Sequence, residues 1–415
     1  MKIKQIVFLL VFIPFLGFGQ IDKESNFYTE PISFKVTKNL KTDFKVDALF
    51  ETDDSKELQK AIDCISEKGG GKLIIPKGNY SFTDIVLKSN VHIEIDSDAV
   101  IRPFKRSNNK NYFIFLLSSD TKEPIENASV VGVNGQFTID LSHTEHKKVR
   151  CFSIRNVHNF KLSNFKIIDN YTLFASLEFL PLEIKNGDKL YSSKNALIKN
   201  IDGLGIADYG YGLVQVRTGK NMLFKNLSGI GGTTLRLEGH LKILRAFGGK
   251  DNMEHIIGRG IRCEKGNSAL MLSPHYIHNG LVDIRDISGI GCGFAVRIET
   301  GFANKDEKVL GLKPGYFSPE SVVSNVKATF ASSEAQIKPK HYKFMPCNLR
   351  ELISEKPITP FPHGDSYNGP SIAAVVYNSN YKINFSKKEV VLAEGFQDNQ
   401  VVVTNEDAIK DSDCP

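Results

Sequence analysis

Leu213-Val-Gln-Val-Arg-Thr-Gly219, Thr234-Leu-Arg-Leu-Glu-Gly-His240, Ala269-Leu-Met-Leu-Ser-Pro-His275 and Ala295-Val-Arg-Ile-Glu-Thr-Gly301 read almost as copies of one another. Each alternates apolar and polar residues, the period of a strand with one buried face. Near-identical turns punctuate the runs between them: Asn200-Ile-Asp-Gly203, Asn226-Leu-Ser-Gly229 and Asp286-Ile-Ser-Gly289. Self-similarity every few tens of residues marks a solenoid, whose repeats bury their apolar faces against one another. The pattern predicts an all-β fold, a parallel β-helix.

Stacking turns spacing into geometry. Equivalent strands lie about 4.8 Å apart, and side chains two along a strand about 6.6 Å apart on one face. With Val214, Val216, Leu235, Leu237, Leu270, Leu272, Val296 and Ile298 inside the coil, their alternates Gln215, Arg217, Arg236, Glu238, Met271, Ser273, Arg297 and Glu299 face out. His240 and His275 then sit at strand ends, and Arg217 becomes the vertical neighbour of Glu238. Three arginines, two glutamates and two histidines converge on one exposed wall, and no other stretch concentrates such groups.

Outward from this stretch, the N-terminal side predicts a cap. Asp54-Ser-Lys-Glu57 has the form of a capping box, Leu58, Ala61, Ile62 and Ile65 follow at helical spacing, and Gly69-Gly-Gly71 ends the helix. A short amphipathic helix there covers an otherwise open solenoid end. Its place before a glycine-rich entry to the first strand resembles the N-terminal cap of pectin-lyase-like right-handed β-helices. Strand-like runs continue at Tyr112–Leu116, Ser129–Asp140, Cys151–Ile154, Phe160–Ile168, Phe174–Phe179 and Ala196–Ile201. Beyond Gly301 the pattern loosens. Asn304 to Glu320 reads as loop, Val322–Phe330 as another coil, and Ser371–Tyr377, Lys382–Phe385 and Val390–Leu392 as closing strands. The organisation expected is a leader over 1–20, a β-helix over 21–330, and a C-terminal coil or cap region over 331–415 packed on it.

Lys2 and Lys4, the apolar run Ile6 to Phe18, and small residues at Gly17-Phe-Gly19 have the form of a secretory signal peptide. No later apolar stretch is long enough for a membrane span. An exported protein, in the medium or the periplasm, and a monomer, is the expectation. The net charge of +6 includes two lysines of that leader and is too mild to argue for a nucleic-acid partner. None of the six cysteines has metal-ligand spacing. Cys64, Cys151, Cys263 and Cys292 read as core or coil-wall residues, and a Cys347–Cys414 bridge is compatible with an oxidising compartment.

Glu238 carries the chemistry if anything does. A carboxylate on a sheet face acts as a general acid when burial raises its pKa; the bland reading is a glutamate paired with Arg217. The arginines suit oxyanions, which guanidinium forks bind through paired, charge-assisted hydrogen bonds; the bland reading is a salt-bridge ladder with Glu238 and Glu299. Tyr209 and Tyr211 offer a sugar-stacking platform. His143-Thr-Glu-His146 lacks the helical context of a zinc site, and Asp202, Asp208 and Asp283 lack diagnostic calcium-loop spacing. No metal is assigned from the residues.

Gln215 and Glu238, with His275 further on, resemble the active site of the ι-carrageenases of glycoside hydrolase family 82, secreted right-handed β-helices that cut sulfated red-algal galactans with inversion. The closing run Gly369-Pro-Ser-Ile-Ala-Ala-Val375 adds to the likeness. The resemblance implies an endo-acting hydrolase with an anionic, sulfated polysaccharide as partner. It makes Glu238 the acid, Gln215 a holder of the attacking water and a chloride, and His275 the histidine one coil later. Arg217, Arg236, Arg297, Glu299 and Tyr211 then line the substrate. A structural calcium is also implied, and no cofactor for the chemistry. One position departs: the family's aspartate, two residues after the acid, is here His240. A neutral imidazole accepts a proton from water, and the i, i+2 spacing of about 6.6 Å falls near the roughly 6.5–9.5 Å separation of an inverting pair. Glu299, two coils above, is the other candidate base. Two rivals keep the fold: a polysaccharide lyase using Arg236 or Arg297, and a non-catalytic glycan binder.

Overall fold

The chain winds into a parallel β-helix, seen in a computed structural model that describes residues 22–105, 110–119, 121–145, 147–184, 189–207, 212–249, 251–359, 365–392, 395–397 and 400–414. One wall is a ten-stranded sheet. Its strands in chain order are Ile85–Val86 (β1), Tyr112–Leu117 (β2), Val149–Arg155 (β3), Leu177–Leu180 (β4), Val214–Val216 (β5), Thr233–Glu238 (β6), Ser268–Ser273 (β7), Phe294–Glu299 (β8), Val375–Asn378 (β9) and Val402–Val403 (β10). Every neighbouring pair is parallel. The remaining walls merge into a fourteen-stranded sheet. The winding is right-handed, the hand that a twisted strand imposes on parallel crossovers.

The merged sheet explains the repeated turn motifs. Asn200, Asn226 and Asp286 do not separate strands. They bend them, sitting at positive φ inside Lys194–Ile206, Gly219–Gly231 and Val282–Ile290. Asparagine tolerates the left-handed region better than most residues, and here each amide also bonds the one below. Asn226 donates to Asn200 at 3.0 Å, Asn200 to Asn164 at 2.9 Å, and Asn164 to the Gly132 carbonyl at 3.0 Å. A second ladder climbs a parallel corner through Asn90, Asn127 and Asn159. These corners let one strand continue around the coil with its hydrogen-bonding groups satisfied.

Ser55–Glu67 forms the expected capping helix (α1), with Leu58, Ala61, Ile62 and Ile65 fully buried. Its predicted capping box does not form. Asp54 is the N-cap residue but makes no side-chain cap bond; its carboxylate instead accepts from the Ser81 amide at 3.3 Å. Gly69 and Gly70 end the helix at positive φ, and a Cβ on Gly70 would lie 2.4 Å from that of Asn90. Cys151, Cys263 and Cys292 are buried as expected, whereas Cys64 is only partly buried on α1, and Cys347 and Cys414 form a disulfide.

The C-terminal part continues the winding. β9 and β10 extend the ten-stranded wall, and Val390–Leu392 pairs with Val322–Thr329. Lys382–Phe385 contributes only a single bridge, from Asn384 to Val322. The loop expected from Asn304 to Glu320 holds a helix at Lys305–Val309 and a short strand, Tyr316–Phe317, paired with His278–Asn279. Alternation could not reveal the helix because it is a single capped turn. Among the described residues no helix is long and apolar enough to cross a membrane.

Candidate active site

The site is the outer face of β5 to β8. Gln215, Arg236, Met271 and Arg297 stand in register on successive rungs, and Glu238 is level with Ser273 on the next. Val214, Val216, Leu235, Leu237, Leu270, Leu272, Val296 and Ile298 all point inward and are fully buried. That inner packing fixes which residues face out. Gly212 begins the segment at φ 80, with the Thr233 carbonyl 1.8 Å from where a Cβ would stand. Only glycine lets the backbone pass there.

The wall faces outward but is not exposed. Gln215 is 0% exposed, Arg217 5%, Glu238 5% and Arg297 3%. Period-two alternation assigns a side chain to a face and says nothing of what lies over that face.

Four groups hold Glu238. Gln215 Nε2 donates to Oε2 at 2.6 Å, and Arg217 Nη1 to the same oxygen at 2.6 Å. Arg236 reaches both oxygens, Nη2 to Oε1 at 2.5 Å and Nε to Oε2 at 3.0 Å, and His275 Nε2 lies 3.2 Å from Oε1. Burial alone would push this carboxyl up. The Arg236 and Arg217 charges and the His275 hydrogen bond outweigh it and hold the group well below the usual carboxylate range. Without ligand, Glu238 is ionised.

Beside it, the His240 and His275 rings stack with centroids 4.5 Å apart. Arg217 Nη1 also donates to the His240 carbonyl at 2.6 Å, tying Glu238 and His240 to one guanidinium. His275 sits at φ 51, a strained conformation for histidine, and its far side meets the Phe302 ring at 4.6 Å. His240 keeps one edge open, its side chain 44% exposed. Burial, followed by the neighbouring His275, lowers its pKa against the opposing pull of Glu238 and Glu307. His240 is therefore neutral at neutral pH.

Arg297 donates to Asn267 Oδ1 at 2.6 Å and pairs with Glu299 on its own strand. Burial raises the Glu299 carboxyl, but Arg297 and Lys340 bring it below its ordinary value. Asn267 in turn donates to the Gln336 carbonyl at 3.0 Å, which anchors this rung to the C-terminal region. Tyr209, Tyr211 and Asp208 lie outside the described residues, as does His146. Arg259 and Arg285 both pair with the Asp283 carboxylate, and Asp202 accepts from Gln136.

Three site features escaped the reading of the sequence. Glu178, level with Gln215, is buried and paired with Arg150, whose guanidinium stacks 3.8 Å from Phe174. It extends the charged strip one rung down, and the alternation Leu177-Glu-Phe179 was a signal for it. Asn267 lies just before a strand and carries no local signature; Glu307 is on the unforeseen Lys305–Val309 helix, whose one signal was the capping-box spacing Asn304-Lys-Asp-Glu307.

A curated ι-carrageenase from Zobellia galactanivorans is 35% identical over 441 aligned positions, covering 91% of this chain and 87% of that protein. The chain belongs to the ι-carrageenase family. A second curated ι-carrageenase, from Alteromonas macleodii, is 37% identical over 281 residues, and this chain spans 56% of its length. No family model matches. Among solved structures, an A. fortis ι-carrageenase of family GH82 determined without chloride superposes with TM-score 0.84 at 29% identity, over 95% of both chains. An ι-carrageenase complexed to ι-carrageenan fragments gives 0.82 at 29% identity, over 92% of this chain and 94% of that one. As a member of this ι-carrageenase family, the protein is a glycoside hydrolase on a right-handed β-helix.

Proposed function

We propose that this ι-carrageenase-family chain is exported and cleaves ι-carrageenan internally with inversion, Glu238 acting as acid and His240 as base. The observation that carries the reading is the convergence of Gln215, Arg217, Arg236 and His275 on one buried carboxylate. A sulfated ligand supplies what an ionised acid lacks. Its sulfate competes for the Arg236 guanidinium, and a carboxylate in that buried setting with one charge fewer beside it takes up a proton. Glu238 then passes the proton to the glycosidic oxygen as the bond to the anomeric carbon breaks. Water attacks that carbon from the opposite face and gives its proton to His240 Nε2.

Gln215 is suited to hold that water. Its Nε2 is committed to Glu238, while its Oε1 is buried without a hydrogen-bond partner, an acceptor ready for a water O–H. The Cys347–Cys414 disulfide supports export, since such bonds persist in oxidising compartments. Reducing-end release from ι-carrageenan by the parent and by Glu238→Gln tests the acid: kcat in the variant falls roughly 10³-fold. A variant as fast as the parent removes Glu238 from the mechanism.

A further inference from the structure

The base is the least explained member of the site, and two orphaned atoms beside it point to how it is held. His240 Nδ1 and Glu307 Oε1 are both buried, both lack a hydrogen-bond partner, and stand 3.9 Å apart. Buried polar side-chain atoms without partners are uncommon; two of opposite character facing each other are better read as one interaction left slightly open. Glu307 is itself 0% exposed, unusual for a carboxylate on a one-turn helix. Its other oxygen has a structural task, accepting from the Asn304 amide at 2.8 Å in a capping box whose return bond is 3.1 Å. Capping uses one oxygen and leaves the second aimed at the imidazole.

We propose that Glu307 is the positioning residue for His240, keeping the proton on Nδ1 so that Nε2 turns its lone pair toward the attacking water. The proposal rests on the reading of His240 as base. An imidazole has one acceptor nitrogen when neutral, and the partner of the other nitrogen decides which it is. A carboxylate accepts only, so it selects the Nδ1–H tautomer. The gap closes with a ring shift of under about an ångström, the usual tightening of a catalytic hydrogen bond when substrate arrives. The other groups facing His240 do not supply this. His275 stacks on its ring face, Tyr276 meets it edge-on at 5.9 Å, and Arg217 bonds its backbone carbonyl. Glu238 is occupied by its own four partners.

Glu307→Gln keeps an oxygen for the cap but presents an amide N–H to Nδ1, which forces the proton to Nε2. Kinetics on ι-carrageenan should show kcat lowered roughly 10²-fold, with KM within about twofold of the parent. In a His240→Ala background the same change should cost nothing further, because the group acts through the imidazole. An equal cost in both backgrounds would make the role structural and overturn the proposal. Parent-like activity of His240→Ala would remove the base and the proposal together, whereas an inactive His240→Ala beside a fully active Glu307→Gln removes only the proposal. Nitrogen-15 NMR of His240 in the parent protein decides independently of whether the variants fold. An Nδ1–H, Nε2-unprotonated ring is expected, and an Nε2–H ring contradicts the link.

Discussion

Asn226 shows how much rests on single residues in this coil. It holds a left-handed φ of 53° and donates to Asn200 at 3.0 Å, so it serves both the bend and the ladder. The two contributions separate by substitution. Asn226→Gly keeps the bend without strain and loses the hydrogen bond, about 1 kcal/mol; Asn226→Ala adds the left-handed penalty, for a total of about 2–3 kcal/mol. Urea unfolding of the two variants should rank glycine above alanine, and the reverse order would deny the bend its role. At this scale the sequence was informative about direction and silent about cover. The alternation in Thr234-Leu-Arg-Leu-Glu-Gly-His240 correctly turned Leu235 and Leu237 inward, and the 21-residue spacing correctly stacked Arg217 on Glu238 at 2.6 Å. That Gln215 is fully buried, among Glu178, Arg236 and Glu238 of neighbouring rungs, is something no local period records.

At the scale of elements, α1 was legible from its apolar spacing and begins where expected, after Asp54, but its capping bond was misread. Asp54 was expected to cap the helix, yet its carboxylate turns to the Ser81 amide in a buried position. Burial, the leading effect, pushes its pKa up to about 6. A carboxyl raised above its unfolded value of 3.8 favours the fold while protonated, and that contribution is lost as pH rises through about 6. Asp54→Asn removes the charge while keeping an acceptor for Ser81. Its stability gain should be about 1–2 kcal/mol at pH 7.5 and should shrink toward pH 4. Thermal unfolding across that range checks this, and a gain independent of pH would exclude the titration. The Lys305–Val309 helix left one trace in the sequence, the capping-box spacing Asn304-Lys-Asp-Glu307. Five residues are too few for a period, and its significance comes from Glu307 meeting His240 across 67 residues of chain.

For the whole molecule, the β-helix converts sequence period into one continuous charged strip. Glu178, Gln215, Arg236, Glu238, Arg297 and Glu299 come from four strands of a single wall. This architecture matches a long anionic chain better than a small ligand, since rungs about 4.8 Å apart repeat along the coil axis. Where the resemblance places the family's aspartate this chain has His240, so the proposed reading puts an imidazole where the second carboxylate would stand. Time-resolved proton NMR of ι-carrageenan degradation by the parent protein tests the account most directly. Hydrolysis as described yields reducing ends whose first-formed anomer is inverted relative to the linkage cut, with chain length falling early because cleavage is internal. A first-formed anomer of retained configuration, unsaturated ends absorbing in the ultraviolet, or no product at all would contradict it.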